Sequence, residues 1–185
     1  MPLVQTRTDE LASSIFASSG AKMDSGEEKS SGEAGAEPRS GVVLDFANGI
    51  PGFPAAREFA LEDLGADLEP FCRMRSLDDQ GVSFLLVPPG IFFPDYSVEI
   101  DEEHVEKLGL GSADDTVVLA IVTLAKPPDS PTCNLLGPVV VNRRSLAAAQ
   151  VVQHRSNYGV AVPITPPEPP SVHGASGGGP EESSD

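Results

Sequence analysis

The chain has 185 residues, a length typical of one domain with or without tails. It carries 28 Asp and Glu against 12 Lys and Arg, a formal net charge of −16 at pH 7. So negative a surface repels phosphate backbones, which argues against direct nucleic-acid binding and favours a basic protein partner. An acidity that serves only to keep the protein soluble is an equally good interpretation at this point.

Three features of the sequence bear on the compartment. Cys72 and Cys133 lie far apart in apolar stretches without CxxC spacing, a pattern typical of small buried hydrophobic residues. Asp9 and Glu10 interrupt the region where a signal peptide needs an apolar run. No stretch approaches the roughly 18 apolar residues of a membrane helix. The sequence therefore predicts a cytoplasmic, reduced protein that does not bind membranes.

Charge and composition divide the chain into three parts. Residues 1–40 hold 7 acids and 4 bases and are rich in Ser, Gly, Ala and Glu, so we expect a disordered N-terminal extension, with Met23 as an alternative first residue. Residues 166–185 hold 4 acids and no base, and their Pro and Gly predict a disordered tail. Residues 41–165 hold 17 acids and 8 bases. Most of the excess acidity therefore belongs to the predicted folded domain.

Short apolar or alternating runs predict strands throughout this domain, at 42–46, 58–64, 70–77, 82–89, 116–125, 134–142, 150–154 and 159–164. The runs at 82–89 and 116–125 are almost continuously apolar, which is typical of central strands buried on both faces. Alternation in 70–77 sets Cys72, Met74 and Ser76 on the face opposite Arg73 and Arg75. Asn-Gly and Pro-Gly within 48–54 predict a turn.

One helix is predicted after residue 101. Asp101 can cap it, Glu102 and Glu103 suit its positive N-terminus, and Gly109 can end it. A second short helical turn is predicted at 145–150. Because a parallel sheet needs crossover helices, many short strands with so few helices predict a mainly β fold. We expect a small antiparallel β-barrel or sandwich-like domain with one or two short helices.

The sequence carries no strong catalytic, cofactor or metal motif. It has neither a GxxxxGK[ST] loop nor GxGxxG, and the acidic pairs at 78–79 and 114–115 are explained by turns. His104 lies at the predicted helix start, which suits a solvated turn better than a metal site. We therefore expect no enzyme activity and no cofactor. A hydrolase that uses Cys133 and His154 is the remote catalytic alternative.

The run GIFFPDYSVEID at 90–101 concentrates aromatic and acidic residues. If it is extended, Phe92 and Phe93 point to opposite sides, so that one enters the core and the other needs another neighbour. The proline that follows marks an edge or a loop. The run predicts an edge that suits a basic, partly apolar partner, through Asp95, Tyr96 and Glu99. A loop pinned by its own aromatic side chains is the alternative.

Four blocks resemble, in this order, the flagellar assembly factor FliW family: FANGIPGFPAAREFAL, PFCRMRSLDDQGVSFLLVPPGIFFPDYSVEID, VVLAIVTLAKPPDSPTCNLLGPVVVNRR and QVV. The resemblance covers about residues 42–164. It implies a small cytoplasmic β-barrel-like protein without enzyme activity. It further implies that this protein binds flagellin and sequesters the RNA-binding regulator CsrA, which relieves repression of flagellin translation. A flagellin-binding export or stability chaperone without a regulatory role is the alternative.

The family patterns SLDD, FFPDY and NLL.P..VN fall at residues 76–79, 92–96 and 134–142. The resemblance therefore adds residues of these patterns to the candidate edge, in a protein that we expect to be a monomer. The candidate partner-binding residues are Asp78, Asp79, Phe92, Phe93, Asp95, Tyr96, Glu99 and Asn134.

Overall fold

The computed structural model describes residues 3–4 and 39–165. The strands in these ranges are β1 (Leu3–Val4), β2 (Arg39–Asp45), β3 (Glu58–Asp63), β4 (Cys72–Ser76), β5 (Ser83–Val87), β6 (Val98–Glu99), β7 (Thr116–Thr123), β8 (Thr132–Cys133), β9 (Val139–Asn142), β10 (Ala148–Gln150) and β11 (Val162–Pro163). One α-helix, α1, spans Glu102–Leu108. Three 3-10 turns lie at Ala66–Leu68, Pro89–Ile91 and Ala113–Asp115.

The main sheet runs β10-β9-β7-β5-β4-β3-β2, and each neighbouring pair is antiparallel. β8 pairs with one end of β7 and carries β11 on its other side. The two ends of the order meet at a single bridge between Asp45 and Ala147, where the Asp45 N–H donates to the Leu146 carbonyl at 3.0 Å. The sheet thus curls without a continuous closing ladder, and the predicted mainly β antiparallel fold is confirmed.

The inner face of the curled sheet holds the largest core cluster. Strand alternation sends one set of side chains inward, and these include Leu44, Phe59, Leu61, Met74, Leu86, Leu119 and Val141. Phe46 and Phe59 meet edge to face with ring centroids 5.1 Å apart. The central strand β7 is buried on both sides, because Val117 faces this cluster while Val118 and Val122 enter two other clusters. The prediction of a central doubly buried strand at 116–125 is confirmed.

Helix α1 begins and ends at the predicted residues. The Asp101 side chain accepts the His104 N–H at 2.8 Å, and Gly109 takes the left-handed conformation with φ 62°. Leu108 packs on the outer side of β7 and β9, with Val118 and Val140 among its cluster. The buried Asn142 side chain donates to the carbonyls of Leu108 and Gly109, at 2.9 and 3.0 Å. The helix is therefore fastened to the sheet at its C-terminal end.

Three element predictions were wrong: a helical turn at 145–150, a single strand at 134–142, and a strand at 150–154, of which only Gln150 lies in a strand. The stretch 145–150 is not helical: Leu146 has φ 62°, and Ala148–Gln150 pair with Val139–Val141 as β10. Tertiary pairing here overrides the helix propensity of three alanines. The stretch 134–142 is not one strand, because residues 134–138 form the turn that separates β8 from β9.

Most of the predicted disorder of the tails falls on residues outside the described ranges. At Arg39 and Ser40 the prediction was wrong, because these residues begin β2. Leu3–Val4 pair antiparallel with Val98–Glu99, a strand that sequence patterns did not indicate. The proposed domain boundaries at 40 and 165 stay predictions. Within the described ranges, no helix is long and apolar enough to cross a membrane.

Candidate functional site

The SLDD pattern builds a turn. The buried Ser76 hydroxyl accepts the N–H groups of Asp78 and Asp79, at 3.1 and 3.0 Å. The Asp78 carboxylate accepts the N–H groups of Arg57 and Glu58, at 2.7 and 2.9 Å, which holds the start of β3 against the end of β4. These backbone hydrogen bonds from Glu58 and Arg57 lower the pKa of Asp78. Asp78 is thus a structural acceptor, although it lies at the surface.

Asp79 also accepts backbone hydrogen bonds, within its own turn. Its Oδ1 accepts the Gly81 N–H at 2.9 Å, and its own carbonyl accepts the Val82 N–H. The two candidate residues of this turn therefore support the β4–β5 connection, at a distance along the chain from the FFPDY pattern. No hydrogen bond or ion pair among the described residues joins their side chains to that pattern.

The FFPDY pattern packs against the second core cluster. Phe92 and Phe93 are both half-buried against apolar residues of β5, β7 and β8, and Phe92 lies 6.1 Å from the ring of Phe71. The expectation that these residues are extended and point to opposite sides was wrong. The N–H groups of both donate to the Pro89 carbonyl, at 3.1 and 2.8 Å, so the chain turns here and both rings reach the same cluster.

Tyr96 fixes the end of this loop. Its hydroxyl donates to the Leu135 carbonyl at 2.8 Å, and its ring centroid lies 4.6 Å from that of Tyr158. Burial raises the pKa of Tyr96 well above its usual value, so the hydroxyl stays a donor. Tyr158 accepts the Ser97 N–H at 3.1 Å. The aromatic residues thus pin the loop, and Asp95 is left exposed between them.

Glu99 lies on β6 with its side chain exposed and its backbone held on both sides. The buried Gln153 amide bonds to the N–H and the carbonyl of Glu99. On the other edge, β6 pairs with Leu3–Val4. Sequence patterns gave no signal for Gln153 or Tyr158, since each is an isolated polar residue in a loop whose partners lie more than fifty positions away.

Acidic residues concentrate where this loop continues into α1. Residues 95–107 contain six acids and one base, Lys107, so they carry a net −5 of the −9 in residues 41–165. The exposed acids of this acidic segment are Asp95, Glu99, Asp101, Glu102, Glu103 and Glu106. Within it, Lys107 pairs with Glu103, and His104 Nδ1 lies 2.8 Å from Asp101. The remaining carboxylates face solvent, so this part of the surface has a strongly negative field.

Asn134 is a turn residue. Its Oδ1 accepts the Gly137 N–H at 2.9 Å, and Gly137 in turn lets the Gln150 amide approach, because a Cβ there would lie 2.8 Å from Gln150 Nε2. Gln150 donates to the Gly137 carbonyl at 2.7 Å. Asn134 therefore shapes the loop whose Leu135 carbonyl receives Tyr96, and it supports the aromatic loop indirectly.

The residues of the catalytic alternative are poorly placed for hydrolysis. The Cys133 side chain is 0% exposed, and burial raises its pKa to about 12, so the nucleophilic thiolate is disfavoured. His154 is exposed, and no hydrogen bond in the described residues joins it to Cys133. Among the same residues, no group of three or more His, Cys, Asp or Glu could hold a metal ion.

The family model described as FliW protein matches residues 27–164. The chain belongs to the FliW family. It is 39% identical over 122 residues to the flagellar assembly factor FliW of Bacillus licheniformis, covering 66% of this chain and 85% of that one. The FliW of Bacillus subtilis is 38% identical over the same coverage, and that of Heliobacterium modesticaldum is 36% identical over 75% of this chain and 90% of its own.

A crystal structure of the flagellar assembly factor FliW has the same fold. It superposes with a TM-score of 0.62 at 30% identity, and the match covers 68% of this chain and 87% of that one. The resemblance seen in the sequence is confirmed, and with it the assignment to a family of flagellar assembly factors. The aromatic loop, β6 and the acidic segment all lie inside the matched residues 27–164.

Proposed function

We propose that this FliW-family protein is a cytoplasmic, non-enzymatic flagellar assembly factor that binds flagellin and the RNA-binding regulator CsrA, and so relieves repression of flagellin translation. The proposal rests mainly on the acidic segment 95–107. Its six acids and one base lie close together along the end of the aromatic loop, β6 and α1. A regulator that binds RNA is basic, and opposite charges steer its encounter with such a surface.

The contacts of the loop support an interface with fixed geometry. Tyr96 and Tyr158 hold its end, and Gln153 holds the backbone of Glu99. A partner therefore meets Asp95 and Glu99 at positions that need little ordering on binding, which lowers the entropy cost of association. The half-buried rings of Phe92 and Phe93 add apolar surface beside the charges. We place the regulator's contact on this edge.

Two candidate residues receive a different role in this proposal. The Asp78 carboxylate accepts backbone N–H groups at the start of β3, and the Asp79 carboxylate accepts that of Gly81 in its own turn. Both therefore contribute charge to the surface and little geometry to a partner. Asn134 supports the Leu135 carbonyl that binds Tyr96 and acts through the loop. The protein acts as a monomer in this proposal.

Titration calorimetry with purified CsrA and with purified flagellin, each alone and then together, tests the proposal. The protein should bind each partner, and Asp95→Lys with Glu99→Lys should weaken CsrA binding. A Glu27→Lys, Glu28→Lys variant makes the same charge change in a part of the sequence outside the described ranges and serves as the control. Binding of flagellin without any binding of CsrA would support the chaperone alternative and reject the regulatory role.

A further inference from the structure

One half of the outer sheet face is open. On β5 and β7 the outer residues Leu85, Val87 and Val122 are packed under the aromatic loop. On β2, β3 and β4 the same face has no covering layer among the described residues. In the strand register, Val43 lies beside Ala60, and Ala60 lies beside Arg75. Two residues further along the strands, Glu62 lies beside Arg73. This open face consists of Val43, Ala60, Glu62, Arg73 and Arg75.

A buried carboxylate holds the two arginines of the open face. Glu62 Oε2 accepts Arg73 Nε at 2.6 Å, and Glu62 Oε1 accepts Arg75 Nε at 3.2 Å and Nη2 at 3.0 Å. The Glu62 side chain is 3% exposed, whereas those of Arg73 and Arg75 are 42% and 39% exposed. The carboxylate is therefore satisfied, and both guanidinium groups are fixed in direction while part of each reaches solvent.

The two arginines carry more positive charge and more N–H donors than the single Glu62 carboxylate binds. Two cations face one anion, and both terminal nitrogens of Arg73 and Nη1 of Arg75 have no partner among the described residues. Free guanidinium N–H groups with fixed direction match the geometry of a carboxylate, which they bind in a charge-assisted, bidentate manner. Beside them Val43 is 45% exposed, which provides an apolar contact on the same surface.

We propose that Arg73 and Arg75 form a docking site for an acidic segment of a protein partner, whose carboxylates bind the free N–H groups while an apolar side chain rests on Val43. The inference rests on the proposed function in assigning this segment to flagellin. The basic regulator is drawn to residues 95–107, and two outward arginines repel it. The open face offers the opposite charge and suits the other partner.

Neighbouring acids limit the length of the acidic segment. Asp45 and Glu58 are paired across β2 and β3, are exposed, and lie two residues further along the same face as Val43 and Ala60. That separation is about 7 Å along a strand. A uniformly acidic segment would be repelled there, so the docked segment is acidic at the Arg73 end and neutral or basic at the Asp45 end.

Binding of monomeric flagellin to variants of the full chain tests the site. Arg73→Gln with Arg75→Gln should weaken flagellin binding at least about tenfold, because charge-assisted hydrogen bonds are lost. Arg57→Gln with Lys126→Gln removes the same charge from exposed positions elsewhere and should stay within about twofold of the unmodified protein. Arg73→Lys with Arg75→Lys keeps the positive charge but lacks the planar pair of N–H donors of a guanidinium group. Its affinity for flagellin should therefore lie between those of the other two variants.

A fourth variant separates docking from folding. In Arg73→Gln with Arg75→Gln, the buried Glu62 loses its cations and could unfold the protein by itself. The triple variant adds Glu62→Gln and so removes that buried charge. Thermal melting then tests whether the triple variant folds. The triple variant should also lose flagellin binding and keep CsrA binding. Flagellin binding that survives in it overturns this site and leaves the proposed function intact. Loss of CsrA binding instead overturns the assignment, and absence of flagellin binding by the unmodified protein overturns both proposals.

Discussion

The side-chain amide of Gln153 takes the place of a neighbouring strand for Glu99. Gln153 Oε1 accepts the Glu99 N–H at 2.8 Å, and Gln153 Nε2 donates to the Glu99 carbonyl at 3.1 Å. Gln153 itself is buried, and its own N–H donates to the Leu136 carbonyl. The strand that presents Glu99 is thus tied to the segment after β10. One amide therefore links the acidic segment to the main sheet.

Replacing Gln153 by Ala should destabilise the protein and loosen β6. The change leaves the N–H and carbonyl of Glu99 without their partners, and unsatisfied groups of this kind cost about 1–3 kcal/mol. Urea unfolding followed by circular dichroism measures the loss, and hydrogen exchange at the Glu99 amide should become faster. Gln80→Ala, at an exposed position, is the matched control. An unchanged exchange rate at Glu99 would contradict the role given to Gln153.

Asn142 should be a second sensitive amide. Its Nδ2 donates to the carbonyls of Leu108 and Gly109, and its Oδ1 accepts the N–H groups of Arg144 and Ser145. Asn142→Asp keeps the acceptor toward the turn and removes the donors toward α1, so it should cost about 2 kcal/mol or more through two unpaired carbonyls and a buried charge.

Chemical denaturation gives the free energy of unfolding for Asn142→Asp, and the helical signal at 222 nm shows whether α1 frays first. Asn157→Asp, at an exposed position, provides the control for added charge. Equal stability of the two variants would show that the helix end does not depend on Asn142.

Local patterns predicted the elements whose own residues decide their structure. Alternation identified β3 and β4, apolar continuity identified β7, and the residues Asp101 and Gly109 marked both ends of α1. In each case the deciding interaction is within a few residues or depends only on which side chains avoid water.

Elements decided by distant partners could not be predicted. β10 forms on three residues with high helix propensity because they pair with β9, and β6 has two residues that depend on Leu3–Val4 and Gln153. The sequence indicated the aromatic run, but it did not indicate the turn that forms where the N–H groups of Phe92 and Phe93 donate to the Pro89 carbonyl. The arginines of the open face appeared in sequence only as the polar side of β4, since their shared contact with Glu62 needs strand register.

The protein should lose folding stability in acid when the Asp78 carboxylate in this turn is protonated. Hydrogen bonds from the N–H groups of Glu58 and Arg57 lower the pKa of Asp78 in the folded protein. A lowered folded pKa gives stability that is present above the unfolded value of about 4 and is lost as the pH falls through the folded value. Asp78→Asn keeps a neutral acceptor, so its melting temperature should fall less than that of the unmodified protein between pH 5 and pH 2.5, on the order of a few degrees.

Differential scanning calorimetry across this range measures the two slopes. Asp101 and Glu103 also have lowered pKa values, through the His104 N–H and through Lys107, so a residual acid dependence is expected in Asp78→Asn. Asp95→Asn, at an exposed position on the aromatic loop, is the control and should leave the slope unchanged. Parallel curves for Asp78→Asn and the unmodified protein would contradict the contribution of the turn.

Both cysteines should resist alkylation in the folded protein. Burial raises the pKa of Cys72 and of Cys133 to about 12, so the reactive thiolate is scarce at pH 8 and neither sulfur is accessible. Iodoacetamide followed by mass spectrometry should show no modification until denaturant is added, when both react. Rapid labelling of Cys133 without denaturant would revive the hydrolase alternative, which a Cys133→Ser, His154→Ala variant then tests by activity.

Association with CsrA should depend on salt through the acidic segment. Screening shortens the Debye length from about 10 Å at 0.1 M to about 3 Å at 1 M, so the association rate should fall as salt rises. Asp95→Lys with Glu99→Lys should bind roughly tenfold to a hundredfold more weakly and show a flatter salt dependence, because an exposed charge contributes on the order of 1 kcal/mol or less. Glu27→Lys with Glu28→Lys should keep the original slope. Surface plasmon resonance at four salt concentrations decides between a local patch and diffuse charge, since equal slopes in the two variants would leave only the total charge as the cause.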